Sequence, residues 1–176
     1  PPLLGHTLMI GDRLARALRH LGATGPVRID YAEHHVSHAA AAFYPSPFDT
    51  AGVLTVDGVG ESATATIGRG ANRGLELLEE VRFPNSLGLL YSLITMWCGF
   101  RPNDGEYKVM GLAPYGRARF LDALEEVLHV HEGGGFEIDA KRVGWWSSPP
   151  HRMKSLVASL DGPPRAGHRG GHRAAP

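Results

Sequence analysis

The stretch AGVLTVDGVGE, residues 51–61, decides the fold. Residues 51–56 are almost continuously apolar and rich in β-branched side chains, and they run directly into Asp57. A run of this length and composition that stops at a turn signal is typical of a buried strand. Residues 62–68 then alternate threonine with other side chains, and residues 74–83 supply a further candidate strand. The sequence therefore predicts consecutive strands that are linked by glycine-rich turns.

Apolar residues at helical spacing surround these strands in the sequence. We predict helices at residues 7–21, 33–43, 86–99 and 117–131, a short helix through Lys108 and Met110, and short strands at residues 26–31 and 136–139. Asn85 or Ser86 is expected to cap the third of these helices. Hairpin-linked strands with neighbouring helices favour a layered α/β domain over a simple βαβ array.

The bulk composition excludes several classes of protein. The chain has 176 residues, with 18 Lys and Arg against 18 Asp and Glu, so its formal net charge is zero. A nucleic-acid partner is not expected, because proteins that bind polyanions carry a basic patch. Cys98 is the one cysteine, which excludes an internal disulfide and fits a reducing compartment. We find no apolar run near the ~20 residues of a membrane span, and we expect a cytoplasmic protein.

The two ends of the sequence predict a partial domain. The chain opens on Pro1 without an initiator Met, and residues 151–176 are rich in Arg, Gly, His and Ala without apolar periodicity. Such a composition cannot bury enough surface to offset its ordering entropy. We expect residues 1–150 to form part of a domain that lacks the first strands of its fold, followed by a low-complexity or disordered tail.

Histidines concentrate in HHVSH, residues 34–38, which holds three of the ten in the chain. On a helix, His34 and His38 share one face, so both imidazoles can bind the same metal ion. His35 projects about 100° away, and we expect it to face a substrate or simply to end the helix. The alternative is that these histidines are polar surface side chains or form a set of satisfied hydrogen bonds, and this is the better interpretation of an isolated HxxxH pair. The small residues 39–42 favour a metal, because they predict a buried helix whose imidazoles need partners.

Asp57 lies at the carboxyl end of the predicted buried strand, where functional groups collect in α/β sheets. A carboxylate added to two imidazoles gives a set with open coordination positions, which suits Fe(II), Zn or Mn. Gly58 and Gly60 allow backbone N–H groups to approach an anion closely, and Glu61 beside them is a further candidate substrate contact. The alternative is that Asp57 and Gly58 merely start a hairpin turn, which spacing alone favours.

Four separated motifs occur in order between residues 7 and 150. They are EHHVSHAA (33–40), VDGVGE (56–61), FPNSLGLLY (83–91) and GEYKVMGLAPYG (105–116). Together they resemble the O-carbamoyltransferases of the nodulation and antibiotic-tailoring type. A chance HxxxH pair would not bring the other three motifs with it.

The resemblance implies part of an actin-like ATPase (ribonuclease-H-like) domain, an α/β fold with a mixed sheet and flanking helices. It implies that a separate C-terminal domain makes carbamoyl-adenylate from carbamoyl phosphate and ATP. The part similar to this chain then passes the carbamoyl group to a hydroxyl of a small-molecule acceptor. It also implies that His34, His38 and Asp57 hold a divalent metal, Fe(II) before Zn or Mn. Lys108 is a candidate contact for the substrate phosphate, with a solvated lysine as the alternative, and no residue is assigned as catalytic.

Two other functions compete with carbamoyl transfer. A catalytically inactive metal- or nucleotide-binding remnant is favoured by the expected loss of the first strands. Threonylcarbamoyl transfer to tRNA, the activity of a related group of proteins, is disfavoured by the zero net charge, since RNA binding relies on basic side chains.

Overall fold

The structure, a computed structural model, describes residues 10–72, 74–132 and 134–143. The chain divides into two compact units, Pro1–Ala32 and Glu33–Pro176. Helix α1 (Ile10–His20) belongs to the first unit. Gly22 ends it as the sequence predicts: Gly22 has a φ of 100°, and the N–H of Ala23 donates to the carbonyl of Leu18 at 3.0 Å, a hydrogen bond typical of glycine-terminated helices.

The predicted strand at residues 26–31 is wrong. These residues form neither helix nor strand, and Val27 and Ile29 are only half-buried. The side chains of Ile29 and Tyr31 instead lie against Gly11 of α1. A strand needs a hydrogen-bonded neighbour as well as alternating side chains, and no ladder involving these residues occurs in the described part of the chain.

An antiparallel meander forms the centre of the second unit. It consists of β1 (Thr50–Gly60), β2 (Ala63–Ala71) and β3 (Gly74–Arg82), in the order β1-β2-β3. All three predicted strands are confirmed, although β1 continues past Asp57, where the sequence predicts its end, and the turn follows at residues 61–62. Every strand pair in the described residues is antiparallel. The register of β1 on β2 shifts between Val56 and Gly60, so a bulge interrupts the ladder at Asp57.

Helix α2 (His34–Phe43) packs on one face of this sheet. Its buried stripe consists of His35, Ala39 and Phe43, spaced four residues apart. Phe43 lies over Gly70, where a Cβ atom would overlap its ring. The helix is confirmed, but it is buried only along this stripe, because Ala41 and Ala42 are exposed. His34 and His38 therefore occupy the neighbouring, more open stripe.

Helix α3 (Leu87–Trp97) is confirmed, with Ser86 as its N-cap. Its buried Leu90 belongs to a second cluster with Val127, Ile138 and Val143. The remaining elements are α4 (Glu106–Leu112), a 3-10 turn (Ala113–Tyr115), α5 (Leu121–Glu125), β4 (Leu128–Val130), β5 (Phe136–Ile138) and α6 (Ala140–Val143). The predicted short helix and the strand at residues 136–139 are confirmed with bounds shifted by one or two residues.

The helix predicted for residues 117–131 is wrong over most of its length. Only Leu121–Glu125 is α-helical, and Leu128–Val130 pairs with Phe136–Ile138 as an antiparallel hairpin. The apolar spacing of this segment fits both structures. Val127, which is fully buried against Leu90, decides between them, because its carbonyl accepts a hydrogen bond from the N–H of Asp139 at 2.9 Å.

Together these elements make a mixed α/β structure with antiparallel sheets and flanking helices. None of the helices in the described residues is long and apolar enough to cross a membrane. The low-complexity tail predicted for residues 151–176 lies outside the described residues.

Candidate metal centre

Two elements bring the candidate ligands together. Helix α2 presents His34 and His38 one turn apart, and β1 presents Asp57 near its carboxyl end. The two imidazole side chains are 43% and 54% exposed and the Asp57 side chain is 37% exposed. The three groups are therefore accessible to solvent while their backbones belong to ordered elements.

The three side chains converge through single atoms. His34 Nε2 lies 2.5 Å from Asp57 Oδ2, His38 Nε2 lies 3.0 Å from His34 Nε2, and His38 Nε2 lies 3.4 Å from Asp57 Oδ2. An ion with bonds of about 2.1 Å separates adjacent ligand atoms by about 3.0 Å in octahedral and about 3.4 Å in tetrahedral geometry. Two of the three separations match these values, and the His34–Asp57 pair is closer. The donor set fits a divalent transition metal.

The surroundings of Asp57 favour the ionised form of its carboxyl group. Its hydrogen bond with His34 is the main cause that holds the pKa of its carboxyl group below the usual value. Partial burial opposes this shift, and the Gly58 N–H, which donates to Asp57 Oδ1 at 2.6 Å, adds to it. The group is therefore an anion at neutral pH, the state in which a carboxylate binds metal.

Gly60 makes room for one of the ligands. A Cβ atom at this position would overlap the imidazole of His34. Gly60 is also paired with Ala63 at the end of the β1–β2 ladder, beyond the bulge. The glycine predicted to contact an anion thus has an observed role in this structure: it lets the ring of His34 lie against the end of β1.

Ser86 and Gly88 hold the backbone of Asp57 and Gly58, a role that the sequence analysis missed. The fully buried Ser86 hydroxyl accepts a hydrogen bond from the N–H of Leu89 at 3.0 Å and donates to the carbonyl of Gly58 at 2.5 Å. A Cβ atom at Gly88 would lie 2.5 Å from the carbonyl oxygen of Asp57. The signal was present in FPNSLGLLY, where a capping serine precedes a glycine in the first helical turn.

His35 lies apart from the converging atoms. It is 3% exposed, and both ring nitrogens have partners within the protein: Nδ1 lies 2.7 Å from Thr55 Oγ1, and Nε2 lies 3.0 Å from the carbonyl oxygen of Ala63. The prediction that His35 faces a substrate stays a prediction. The observed contacts join helix α2 to strands β1 and β2.

Two further predicted contacts, Glu61 and Lys108, lie on a turn and on helix α4. Glu61 is exposed in the turn between β1 and β2, with a φ of 59°. Lys108 lies on α4 with its Nζ 5.9 Å from the ring centroid of Phe100 and 5.6 Å from that of Tyr107. Their roles, and that of Gly58, in binding a substrate stay predictions.

A cavity of about 470 Å³ opens beside Asp57. Its walls come from the end of β1, the first turn of α3 and the loop before α4, and its polar side chains include Asp57, Ser92, Asn103 and Glu106. This volume lies in the range that suits a small-molecule ligand. The cavity therefore lies next to one of the three candidate metal ligands.

Glu106 fastens the outer wall of this cavity. One of its carboxylate oxygens accepts hydrogen bonds from the Asn103 N–H at 2.8 Å and the Ser92 hydroxyl at 2.9 Å, and the other accepts from the Gly105 N–H at 3.1 Å. The bond from Asn103 is the main cause that lowers the pKa of Glu106. The carboxylate thus joins the loop before α4 to helix α3.

A family model described as carbamoyltransferase N-terminus matches residues 9–156. An uncharacterized protein of Synechocystis is 46% identical over 134 residues, which cover 76% of this chain and 22% of that protein. Nodulation protein NolNO of Sinorhizobium fredii is 38% identical over 142 residues, which cover 79% of this chain and 20% of that protein.

Nodulation protein NolO of Bradyrhizobium diazoefficiens is 36% identical over 114 residues, which cover 63% of this chain and 20% of that protein. The chain therefore spans about a fifth of the length of the curated relatives it matches. The matched residues include both elements that carry the candidate metal ligands.

Proposed function

Because the chain belongs to the carbamoyltransferase family, whose N-terminal region it matches, we propose that it forms the metal-binding part of a carbamoyl-transfer domain. The observation that carries this proposal is the convergence of His34 Nε2, His38 Nε2 and Asp57 Oδ2, whose positions are within 4.8 Å of one another. In the described residues they form a group of side chains that suits a metal ion.

His34, His38 and Asp57 are the proposed metal ligands. Two neutral imidazoles and one carboxylate suit Fe(II), Zn or Mn, and of these we propose Fe(II). A metal bound there supplies a Lewis acid and a template for orienting a carbonyl or phosphoryl oxygen. The carboxylate of Asp57 lowers the net charge of the site, and the open side of the cluster leaves positions for a substrate.

The cavity beside Asp57 is the proposed substrate site. Its wall contains the first turn of α3, where backbone N–H groups favour negative charge. The Glu106 carboxylate holds the Asn103 and Gly105 N–H groups in place on the opposite side. Because the Asn103 and Gly105 N–H groups already donate to Glu106, the proposed contacts of an anionic donor are the N–H groups of the first turn of α3 and the metal ion. Gly58, Gly60, Glu61 and Lys108 remain proposed contacts, whereas both ring nitrogens of His35 already have partners within the protein.

The proposed reaction is transfer of a carbamoyl group from carbamoyl-adenylate to a hydroxyl of a small-molecule acceptor: the acceptor oxygen bonds to the carbamoyl carbon, the bond from that carbon to the phosphate oxygen breaks, AMP leaves with the electron pair, and the hydroxyl proton is released. Carbamoyl phosphate and ATP are the proposed substrates of the whole protein, and a C-terminal domain is the proposed source of the adenylate. In keeping with this, we propose that residues 1–150 are part of an actin-like domain. The described meander with a helix against one face is compatible with that fold.

Metal titration of the purified chain tests the proposal. We expect one Co²⁺ or Fe²⁺ ion per chain under anaerobic conditions, and we expect His38→Ala to abolish tight binding because two ligands cannot hold the ion as well as three. The matched control is His129→Ala, which removes an exposed imidazole from β4. Equal and negligible binding by the wild type and His38→Ala would contradict the proposed centre and would favour a remnant without a metal.

A further inference from the structure

A buried chain of hydrogen bonds lies beneath the candidate metal centre. His35 Nε2 donates to the carbonyl of Ala63 at 3.0 Å, since a carbonyl can only accept. In the neutral ring Nδ1 then accepts from the Thr55 hydroxyl at 2.7 Å. Thr55 Oγ1 in turn lies 2.7 Å from Thr66 Oγ1. All three side chains are at most 6% exposed.

This series of hydrogen bonds joins three elements of the fold at one point. His35 belongs to α2, Thr55 to β1 and Thr66 to β2, and Thr55 and Thr66 are directly paired in the sheet. Burial of these polar groups is costly unless each has a partner. The position of α2 on β1 in which each of these side chains has a hydrogen-bond partner is therefore favoured over positions in which α2 is displaced along β1.

The same hydrogen bonds also set the register of α2 on β1, and with it the positions of the proposed metal ligands. His35 contacts Thr55, while the preceding residue His34 contacts Asp57, two residues further along β1. A displacement of α2 by one residue would break the His35–Thr55 contact and would carry His34 away from Asp57. His34 and Asp57 have more exposed side chains than His35, so they are less constrained by packing.

We infer that His35 is a positioning residue, which acts through Thr55 and Thr66 to align His34 and His38 with Asp57. The inference rests on the proposed metal centre for its functional meaning. The geometric part, that the buried chain holds His34 against Asp57, is independent of any bound metal. Removing these buried hydrogen bonds displaces the imidazoles of His34 and His38 even where the domain remains folded.

Two readouts test this role. In the metal-free chain, the imidazole ¹⁵N resonances of His34 report its hydrogen bond with Asp57. In the presence of Co²⁺, the absorption spectrum and the dissociation constant report the geometry of the centre. We expect His35→Leu to change the His34 resonances and to weaken Co²⁺ binding by about tenfold or more. His35→Gln keeps a donor for the Ala63 carbonyl and is expected to lie between wild type and His35→Leu in both readouts.

A second substitution tests the same hydrogen bonds in case His35→Leu does not fold. Thr66→Val deletes the hydroxyl at the far end of the chain and is close in shape, and we expect it to shift the same readouts in the same direction by less. Thr95→Val is the matched control, because Thr95 is also fully buried and its hydroxyl donates to the Tyr91 carbonyl of its own helix. It is expected to leave the His34 resonances and the Co²⁺ affinity unchanged.

The outcomes separate this inference from the proposed function. Failure of the wild type to bind Co²⁺ contradicts the metal centre, while the metal-free resonances still decide the role of His35. A folded His35→Leu chain with wild-type His34 resonances and wild-type Co²⁺ affinity overturns the inference. Where His35→Leu does not fold, wild-type resonances in Thr66→Val overturn it instead.

Discussion

The imidazole of His34 lies directly against Gly60, although the two residues belong to different elements and are far apart in the sequence. A Cβ atom at Gly60 would overlap three atoms of the His34 side chain. The ring cannot move away from Gly60 without disturbing the contact between its Nε2 and Asp57. Gly60, the second glycine of VDGVGE, thus allows His34 to take its position in the candidate centre.

Gly60→Ala is expected to weaken metal binding by displacing His34. Overpacking of this kind costs about 1–3 kcal/mol of stability, and we expect the Co²⁺ dissociation constant to rise as well. Gly52→Ala is the matched control on the same strand, since a Cβ atom there meets no other atom within 4 Å. Calorimetric titration and urea unfolding of both variants check the prediction, which fails if they behave alike.

Ser86→Ala is expected to lower stability and metal affinity together. The substitution removes the N-cap of α3, which costs about 0.5–2 kcal/mol, and it leaves the Gly58 carbonyl without its donor. Because Gly58 follows Asp57, the carboxylate loses part of its support. Ser37→Ala serves as the control, since Ser37 is exposed and its hydroxyl donates to the Glu33 carbonyl one turn earlier. An equal loss of stability in both variants would contradict the role of Ser86.

Metal binding is expected to weaken as the pH falls from about 7 to about 5, because an imidazole binds a metal only in its neutral form. Protons compete with the metal for the imidazoles of His34 and His38. Asp57 adds little to this dependence, because its pKa lies below the usual 3.8 and the carboxylate stays ionised over the range. Co²⁺ titrations at several pH values measure the slope. Binding that does not change with pH would exclude the imidazoles as ligands.

Glu106 is expected to make stability depend on pH in acid. Its pKa in the folded chain lies below the ordinary value of 4.5, so the folded state favours the ionised form. The resulting stabilisation is present above pH 4.5 and is lost as the pH falls through the lower folded value. Glu106→Gln should therefore be less stable than wild type at neutral pH, and this difference should close in acid.

Urea unfolding at a series of pH values measures this difference for Glu106→Gln. Glu125→Gln, an exposed position on α5, provides the control and should show a smaller gap. A gap for Glu106→Gln that stays constant from neutral pH into acid would show that the carboxylate charge does not fasten the loop.

The chain alone is expected to form no carbamoylated product. It spans about a fifth of the length of its curated relatives, and the proposed source of carbamoyl-adenylate is a separate domain. Incubation with carbamoyl phosphate, ATP and a polyol acceptor, followed by mass spectrometry, checks this outcome. Product formation would contradict the assignment of adenylate formation to another domain.

Local patterns predicted the meander and helix α2 well. Residues 51–56 are apolar and β-branched, and the buried strand β1 contains all of them. The same kind of reasoning failed at residues 26–31, where side chains alternate but no neighbouring strand pairs with them among the described residues. It failed again at residues 117–131, because apolar spacing fits a helix and a hairpin equally and the packing of Val127 decides.

The sequence by itself determined which side chains are candidates: His34 and His38 share a face because a helix repeats every 3.6 residues, and Asp57 follows an apolar run whose composition is local information. Only the tertiary structure decided that these three meet, with His34 Nε2 at 2.5 Å from Asp57 Oδ2. Only it showed that Ser86 and Gly88 hold Asp57 and that His35 is buried. Such contacts join residues far apart in the chain, and their distances depend on how helix and sheet pack, which no local periodicity encodes.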